Sequence, residues 1–375
     1  MQDHFERYVF GSSDETIIQL SFVGTLGVLL SNGLGFFSQS LEFLIGVKKS
    51  TFIGTILVTT GLVAAGSATE IWQLYLSIGV CYGLGDTLLY SPSMRMVAEW
   101  VDDKHRSTAM SIVASSTGAT GLVTPIIMST INRNLGEHWT FRILGITYLA
   151  CNMVACAVFK KRRRSDGGGE LKKPTDSLKL SILKDANLII WCFSALLQSM
   201  ALYIPYLFLP SYATYLGLSE TQGSLLLSVA SGASFVGRII TGVIADRIGC
   251  VNVNIVCTTI AGIATFTVWT FAYSFESLVG YAILIGSFGG TFYALFGPIT
   301  VAILGMEQYA LGFSWVLLAT CPGVLGSTIA SAIESRSKIE PFLSYKLFCG
   351  ALYIGSAITT SVVRWRVSKT IFGKV

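Results

Sequence analysis

The chain has 375 residues, 52% of them hydrophobic and 13% charged, with a net charge of +5. Soluble domains carry nearer a quarter charged residues, and no water-soluble fold of this length could hide so much apolar surface. Composition therefore excludes the soluble globular and disordered classes and leaves an all-α polytopic membrane protein, with lipid as the solvent of its outer face.

The N-terminal segment, Met1 to Glu15, is acidic and has no apolar core, so no signal peptide is expected in it. Eleven apolar stretches follow, each near the roughly 20 residues that a bilayer span needs. They cover 17–41, 51–69, 71–94, 107–131 and 143–159, then 186–210, 221–244, 251–273, 277–300, 310–333 and 345–363. Glycine is abundant (38 of 375), as expected where helices pack closely in lipid. A basic stretch containing Gly167-Gly168-Gly169 divides the spans five against six. It predicts a helical bundle over 1–159, a cytoplasmic linker over 160–185 and a second bundle over 186–375 with a short tail. With the linker inside, alternation puts 19 Lys/Arg in the cytoplasm and 6 outside (Arg7, Arg133, Arg142, Arg336, Lys338 and, at the outer edge of the last span, Lys346), with Arg238 alone deep within a span. The run Lys160–Arg164 reads as a topology signal rather than a surface for nucleic acid or anionic lipid. Trp72, Trp100, Trp139 and Trp365 fall near span ends and read as interfacial anchors.

Seven cysteines (81, 151, 156, 192, 257, 321 and 349) lie in spans and Cys250 lies at a cytoplasmic edge, without disulfide or metal-ligand spacing. His4, His105 and His138 are scattered, and no P-loop or zinc motif occurs. The expectation is no metal and no cofactor, with proton coupling the one open option.

Two halves of six helices would have given twelve spans, and an internal repeat locates the difference. The turn Gly242-Val-Ile-Ala-Asp246-Arg247-Ile-Gly249 joins the second and third spans of the second half. It resembles the G-x-x-x-D-R-x-G cytoplasmic loop of the major facilitator superfamily. In the first half the matching turn is Gln39 to Lys49, with Phe43 and Leu44 at the Asp and Arg positions, and Gly46 matches Gly249. The first span is then the family's second helix, and a first helix is expected to be missing, in nature or from the gene reading. Asp246 is expected to accept hydrogen bonds from N–H groups at a neighbouring helix start and to pair with Arg247, latching the cytoplasmic side.

Further stretches carry a finer resemblance. Lys104-His105-Arg106-Ser-Thr-Ala109 with Gly118, Gly121 and Pro125, then His138-Trp139 to Arg142 and Gly145, then Gly237-Arg238, Tyr82-Gly83-Leu-Gly85 and Tyr90-Ser91-Pro92, resemble fungal monocarboxylate-porter-like members. That resemblance implies a twelve-helix fold, alternating access and movement of small organic anions, uncoupled or proton-linked. Ser234 stands where animal members place an Asp, so their proton coupling does not carry over.

Arg238 is the first candidate for chemistry. A guanidinium inside a span must face a cavity or a partner, and it can hold a carboxylate through two parallel bonds; a structural Arg tied to helix ends is the alternative. Asp86, at a similar depth in the other half, could pair with it in one access state or could be satisfied by irregular backbone near Gly83 and Gly85. Tyr206, with Tyr203, Phe208, Pro205 and Pro210, and Phe292 and Tyr293, with Phe296 and Pro298, read as cavity lining on helices that prolines break, or as packing groups.

These residues imply a transporter of a small organic anion in the lipid bilayer, not an enzyme. Two alternatives stay open: an exporter of an apolar secondary metabolite, and a non-transporting regulatory or assembly partner. One chain suffices for the fold, so no oligomer is required. The expected location is the plasma membrane, with the vacuolar membrane as the alternative.

Overall fold

The computed structural model describes residues 14–159, 180–337 and 340–368. The segment before residue 14, the run Lys160–Arg164 with most of the linker, and Lys338, Lys369 and Lys374 lie outside the described residues. Each of the eleven apolar stretches is helical over most of its length, and no strand occurs among the described residues.

The first helices are α1 (Asp14–Gly33), α2 (Gly35–Ile45), α3 (Val47–Ala65) and α4 (Ile71–Leu74). From α4 a π-helix, Tyr75–Tyr82, leads into α5 (Gly83–Trp100). A long run is broken at Gly136 (φ 78) into α6 (Arg106–Gly136) and α7 (His138–Val158). The later helices are α8 (Ala186–Tyr215), α9 (Glu220–Ile248), α10 (Cys250–Ala264) and α11 (Phe275–Leu284). They end with α12 (Phe292–Thr320), α13 (Leu325–Arg336) and α14 (Leu343–Ser368).

Among the described residues eight helical runs are long and apolar enough to cross a membrane, or nine if the pair Phe22–Gly33 and Gly35–Ile45, bent by 53°, is one span. The run Phe275–Arg336 holds two of the predicted spans, separated at Gly305 (φ 73). The third predicted span, 71–94, contains Asp86, and its helix α5 continues past it through Arg95 and Glu99.

By packing, the chain divides into two compact units. The first holds the described residues through Met96 and those from Ile126 to the linker; the second holds Val97–Pro125 together with everything from Leu180 onward. The first half of α6 thus packs as part of the second unit. The first unit's core gathers Leu20, Val23, Val58, Leu62, Leu74 and Phe141. That of the second is built on Tyr212, Leu226, Trp269, Tyr281, Ile285 and Tyr353. Large apolar side chains also cover the exterior, among them Val154, Ile358 and Phe271, as expected of surfaces solvated by lipid. The four tryptophans near span ends are all at least half exposed.

The two halves share one local device. Gly46 (φ 84) ends α2 and Gly249 (φ 98) ends α9, and each donates its N–H at 2.9 Å to the carbonyl four residues back, Glu42 and Ala245. A positive φ favours glycine, which explains why the repeat keeps this residue where it loses its charges.

The prolines do not act as expected. α8 runs unbroken through Pro205 and Pro210. Pro205 has no N–H for the carbonyl of Ala201 four residues earlier, but the Cys349 thiol on α14 donates to that oxygen at 3.4 Å. A neighbour thus replaces the lost partner, and the helix need not break. Irregular backbone occurs instead in the π-helices Tyr75–Tyr82, Thr265–Trp269 and Ile285–Gly289.

Candidate functional site

Helix α9 organises the second unit. A capping box of Ser219 and Gln222 starts it, and one buried face carries mostly small residues: Ala230, Ser234, Gly237, Thr241, Gly242 and Ala245. Small residues let backbones approach closely in a membrane. This face is shared: Ala230 and Gly237 meet the π-helix Ile285–Gly289, while Gly242 meets the first half of α6, which runs antiparallel to α9. A Cβ on Gly242 would lie 2.4 Å from the Cβ of Ser111, and one on Gly118 would lie 2.8 Å from the backbone nitrogen of Phe235. Gly121 approaches Ser231 one turn farther on.

Polar fasteners hold this seam at two levels. At the start of α6 the Asp246 carboxylate accepts from the backbone N–H groups of Ser107 and Thr108, both at 2.9 Å, and from the Thr108 hydroxyl at 2.5 Å. These are the unsatisfied donors of a helix N-terminus, where an anion is favoured. The expected capping by Asp246 is therefore present, with α6 as the helix served. The expected pairing with Arg247 is corrected: Arg247 is exposed, and among the described residues Asp246 forms no ion pair with it. The cap already takes both carboxylate oxygens, so a neighbouring cation has little to add. Arg106 instead donates to the Ala98 carbonyl at 3.1 Å and pairs with Asp103. Gly249 and Cys250 line a small pocket of about 140 Å³ beside Asp246, with Arg106, Ser107 and Pro298.

Two turns along α9, Arg238 is only 7% exposed. Its Nη1 donates to the Ala114 carbonyl at 2.7 Å and to the Thr117 hydroxyl, and its Cζ lies 5.8 Å from the centre of the Tyr293 ring. Ser234 Oγ and the guanidinium both lie against Gly290, and the Tyr206, Tyr203 and Tyr293 phenols are neighbours of this group. Of the predicted lining residues, Tyr206 and Tyr293 thus converge on Arg238. Phe292 does not. It is 1% exposed, its ring 6.1 Å from Trp191 and 5.6 Å from Phe296, which fits a core residue of the second unit.

In the first unit Asp86 accepts a hydrogen bond from the Ser31 hydroxyl. Beside it the hydroxyl of Thr87 reaches the carbonyls of Leu30 and Ser31, both at 3.0 Å. The Tyr82 and Tyr148 phenols are neighbours of each other and of Asp86. Gly83 and Gly85 serve close approach to α1 and α3 rather than an irregular turn. Asp86 and Arg238 thus each have partners inside their own unit. Sequence reasoning missed Ser31 and Tyr148, which carry no local motif. It also missed the buried pair of Glu42 with Arg95, where an acid one residue before the expected position was present to be noticed. Among the described residues no group of three or more His, Cys, Asp or Glu could hold a metal ion.

Comparison with known proteins places these features. The Saccharomyces cerevisiae protein called uncharacterized transporter ESBP6 is 27% identical over 92% of this chain, which spans only 52% of that relative's length. The fujikurins efflux protein of Gibberella fujikuroi is 27% identical over 95% of the chain and 76% of its own length. The agnestins efflux protein AgnL12 of Paecilomyces divaricatus is 25% identical over 96% and 82%. In fold, the chain resembles the Escherichia coli fucose:proton symporter FucP, with a TM-score of 0.76 at 12% identity over 92% of this chain and 91% of that one. The Major Facilitator Superfamily pattern matches residues 8–330; the chain belongs to this superfamily of multi-pass membrane transporters, which are not enzymes.

Proposed function

We propose that this chain exports a mostly apolar small molecule bearing hydroxyl or carbonyl groups, by alternating access. The observation that carries the reading is the engagement of Arg238: its guanidinium is bound to the Ala114 carbonyl and to Thr117, which leaves phenols and serines as the neutral polar groups nearby. Tyr203, Tyr206, Ser234 and Tyr293 offer hydroxyls along an aromatic wall, and Tyr82 and Tyr148 offer the same chemistry in the first unit. Such surfaces suit apolar cargo with a few polar atoms. Two relatives named for efflux of fungal metabolites support the direction. The Asp246 cap on α6 is the cytoplasmic latch of the cycle, and the plasma membrane is the location that fits export.

One observation favours a second reading, transport of a small organic anion such as a monocarboxylate, with or without a proton. Arg238 is a buried cation beside Tyr206 and Tyr293, and a cargo carboxylate could replace the Ala114 carbonyl as its acceptor.

Counterflow in proteoliposomes separates the two. An aromatic polyketide and a short monocarboxylate are offered to wild type and Arg238→Gln. Saturable exchange of the polyketide, unaffected by excess carboxylate, is expected. Saturable carboxylate exchange that Arg238→Gln abolishes would overturn the export reading in favour of the second. Movement of neither probe would favour the third reading, a non-transporting partner.

A further inference from the structure

A groove of about 480 Å³ runs along the lipid-facing side of the second unit between α10 and α14. Its wall on α14 is a single helical face, Ile354, Ala357, Ile358, Ser361, Val362 and Trp365, and Thr259 faces it from α10. The cause is local. At Gly262 the two helices touch, since a Cβ there would lie 2.8 Å from Ile354 Cδ1. One turn nearer the cytoplasm small side chains, Thr259, Ala357 and Ser361, leave the space open.

Length and charge identify an occupant. From Ile354 to Trp365 the helix rises roughly 16 Å, which matches the roughly 15 Å of one hydrocarbon leaflet. The Trp365 indole, 72% exposed, marks the interfacial end. At that end stand two arginines. Arg364 lies three residues beyond Ser361, and Arg366 lies one turn beyond Val362. Arg366 is exposed and is steadied by its Nε, which donates to Asn187 Oδ1 at 2.8 Å. The nearby Asp185 carboxylate is engaged by the backbone N–H of Asn187 as the cap of α8. The Lys/Arg bias puts this end in the cytoplasm, where the leaflet is anionic. Two residues apart on α14, the arginines stand on opposite flanks of the Trp365 face, so an apolar slot one leaflet deep ends between two guanidiniums that a lipid headgroup can meet from either side.

We infer that this groove is a binding site for one anionic phospholipid of the cytoplasmic leaflet, an acyl chain lying along α14 and the headgroup phosphate on Arg364 and Arg366. The inference concerns the lipid-facing surface and stands apart from what the transporter carries.

Native mass spectrometry of the full chain released from nanodiscs of phosphatidylcholine and phosphatidylinositol is the test. Wild type is expected to keep one phosphatidylinositol through delipidation while phosphatidylcholine is stripped. Arg364→Gln with Arg366→Gln is expected to lower that retention about tenfold or more, and Ser361→Phe, which fills an exposed position in the groove, is expected to lower it too. Lysine at both arginine positions preserves the charge and should preserve the lipid. Equal retention of phosphatidylcholine would overturn the site, as would undiminished phosphatidylinositol in both the glutamine and the phenylalanine variants. Gel filtration of every variant at the wild-type volume shows that the fold is intact, so a lost lipid reports the groove.

Discussion

Asp246→Ala should open the cytoplasmic end of the seam between α9 and α6, and Cys250 is placed to report it. The substitution removes the acceptor of two backbone N–H groups and one hydroxyl at the start of α6. Loss of an N-cap acceptor costs about 1 kcal/mol, and loss of a charge at a partly buried helix terminus about another 1. Together they shift the ratio of open to closed latch roughly thirtyfold. Asp246→Asn keeps one acceptor oxygen and the shape but not the charge, so about half of that energy and roughly a fivefold shift are expected. Cys250 is 7% exposed and lines the pocket beside Asp246. A membrane-impermeant maleimide added to inside-out vesicles should therefore label it slowly in wild type, faster in Asp246→Asn and fastest in Asp246→Ala. Peptide mapping separates Cys250 from the seven cysteines in spans. Labelling of the alanine variant at the wild-type rate, with the fold intact, would refute the latch. Faster labelling of the asparagine than of the alanine variant would refute the hydrogen-bond accounting behind it.

Other consequences can be checked by thermal stability in detergent. Gly242→Ala places a Cβ 2.4 Å from that of Ser111 and should destabilise by about 1–3 kcal/mol through overpacking, whereas Gly24→Ala, with nothing within 4 Å, should not; equal melting temperatures would remove the close seam. Glu42→Gln breaks a pair whose side chains are 1% and 12% exposed and should cost about 3–5 kcal/mol, seen as a sharp fall in folded yield. Cys349→Val leaves the Ala201 carbonyl without its thiol and should cost about 1–3 kcal/mol, while Cys349→Ser should lose less; the reverse order would deny the sulfur that role.

Helical class, the places of the apolar helices and the turn ending at Gly249 were legible because each rests on local pattern: apolar length, charge bias, glycine spacing; the stretch 71–94 is helical but less apolar than a span. Asp246 was legible as a cap because its motif places a carboxylate at a helix end; which helix it serves was not, because Ser107 is 139 residues away. Pro205 misled for the same reason. Its helix breaks or not according to whether a distant side chain meets the Ala201 carbonyl, and Cys349 does. Glu42 has no counterpart at the same position of the second copy, because the acid of the first copy lies one residue nearer the N-terminus. Phe292 and Tyr293 are adjacent, so no sequence pattern could say that one ring enters the core while the other reaches Arg238.

Arg238 and Asp246 act on the same seam, which allows their roles to be told apart. They lie eight residues apart on α9, about 12 Å, and grip α6 at Ala114 and Thr117 and at its first turn. Between them Gly242 packs closely on Ser111, so van der Waals contact and the polar fasteners hold the same seam. If Arg238 is purely a fastener, Arg238→Gln should speed Cys250 labelling by itself. Sites this far apart combine to within about 0.5 kcal/mol when they do not share partners. The double variant with Asp246→Ala should then label faster than either single one, by nearly the product of the two effects. If Arg238 is instead a cargo clamp, Arg238→Gln should leave labelling unchanged and weaken the competition of a carboxylate for transport. If opening the latch also frees the guanidinium from Ala114, a carboxylate should slow labelling in Asp246→Ala but not in the double variant, and the clamp would form only in the parted state. The absence of any such protection would leave export of neutral, mostly apolar cargo as the reading that accounts for a buried arginine bound to backbone.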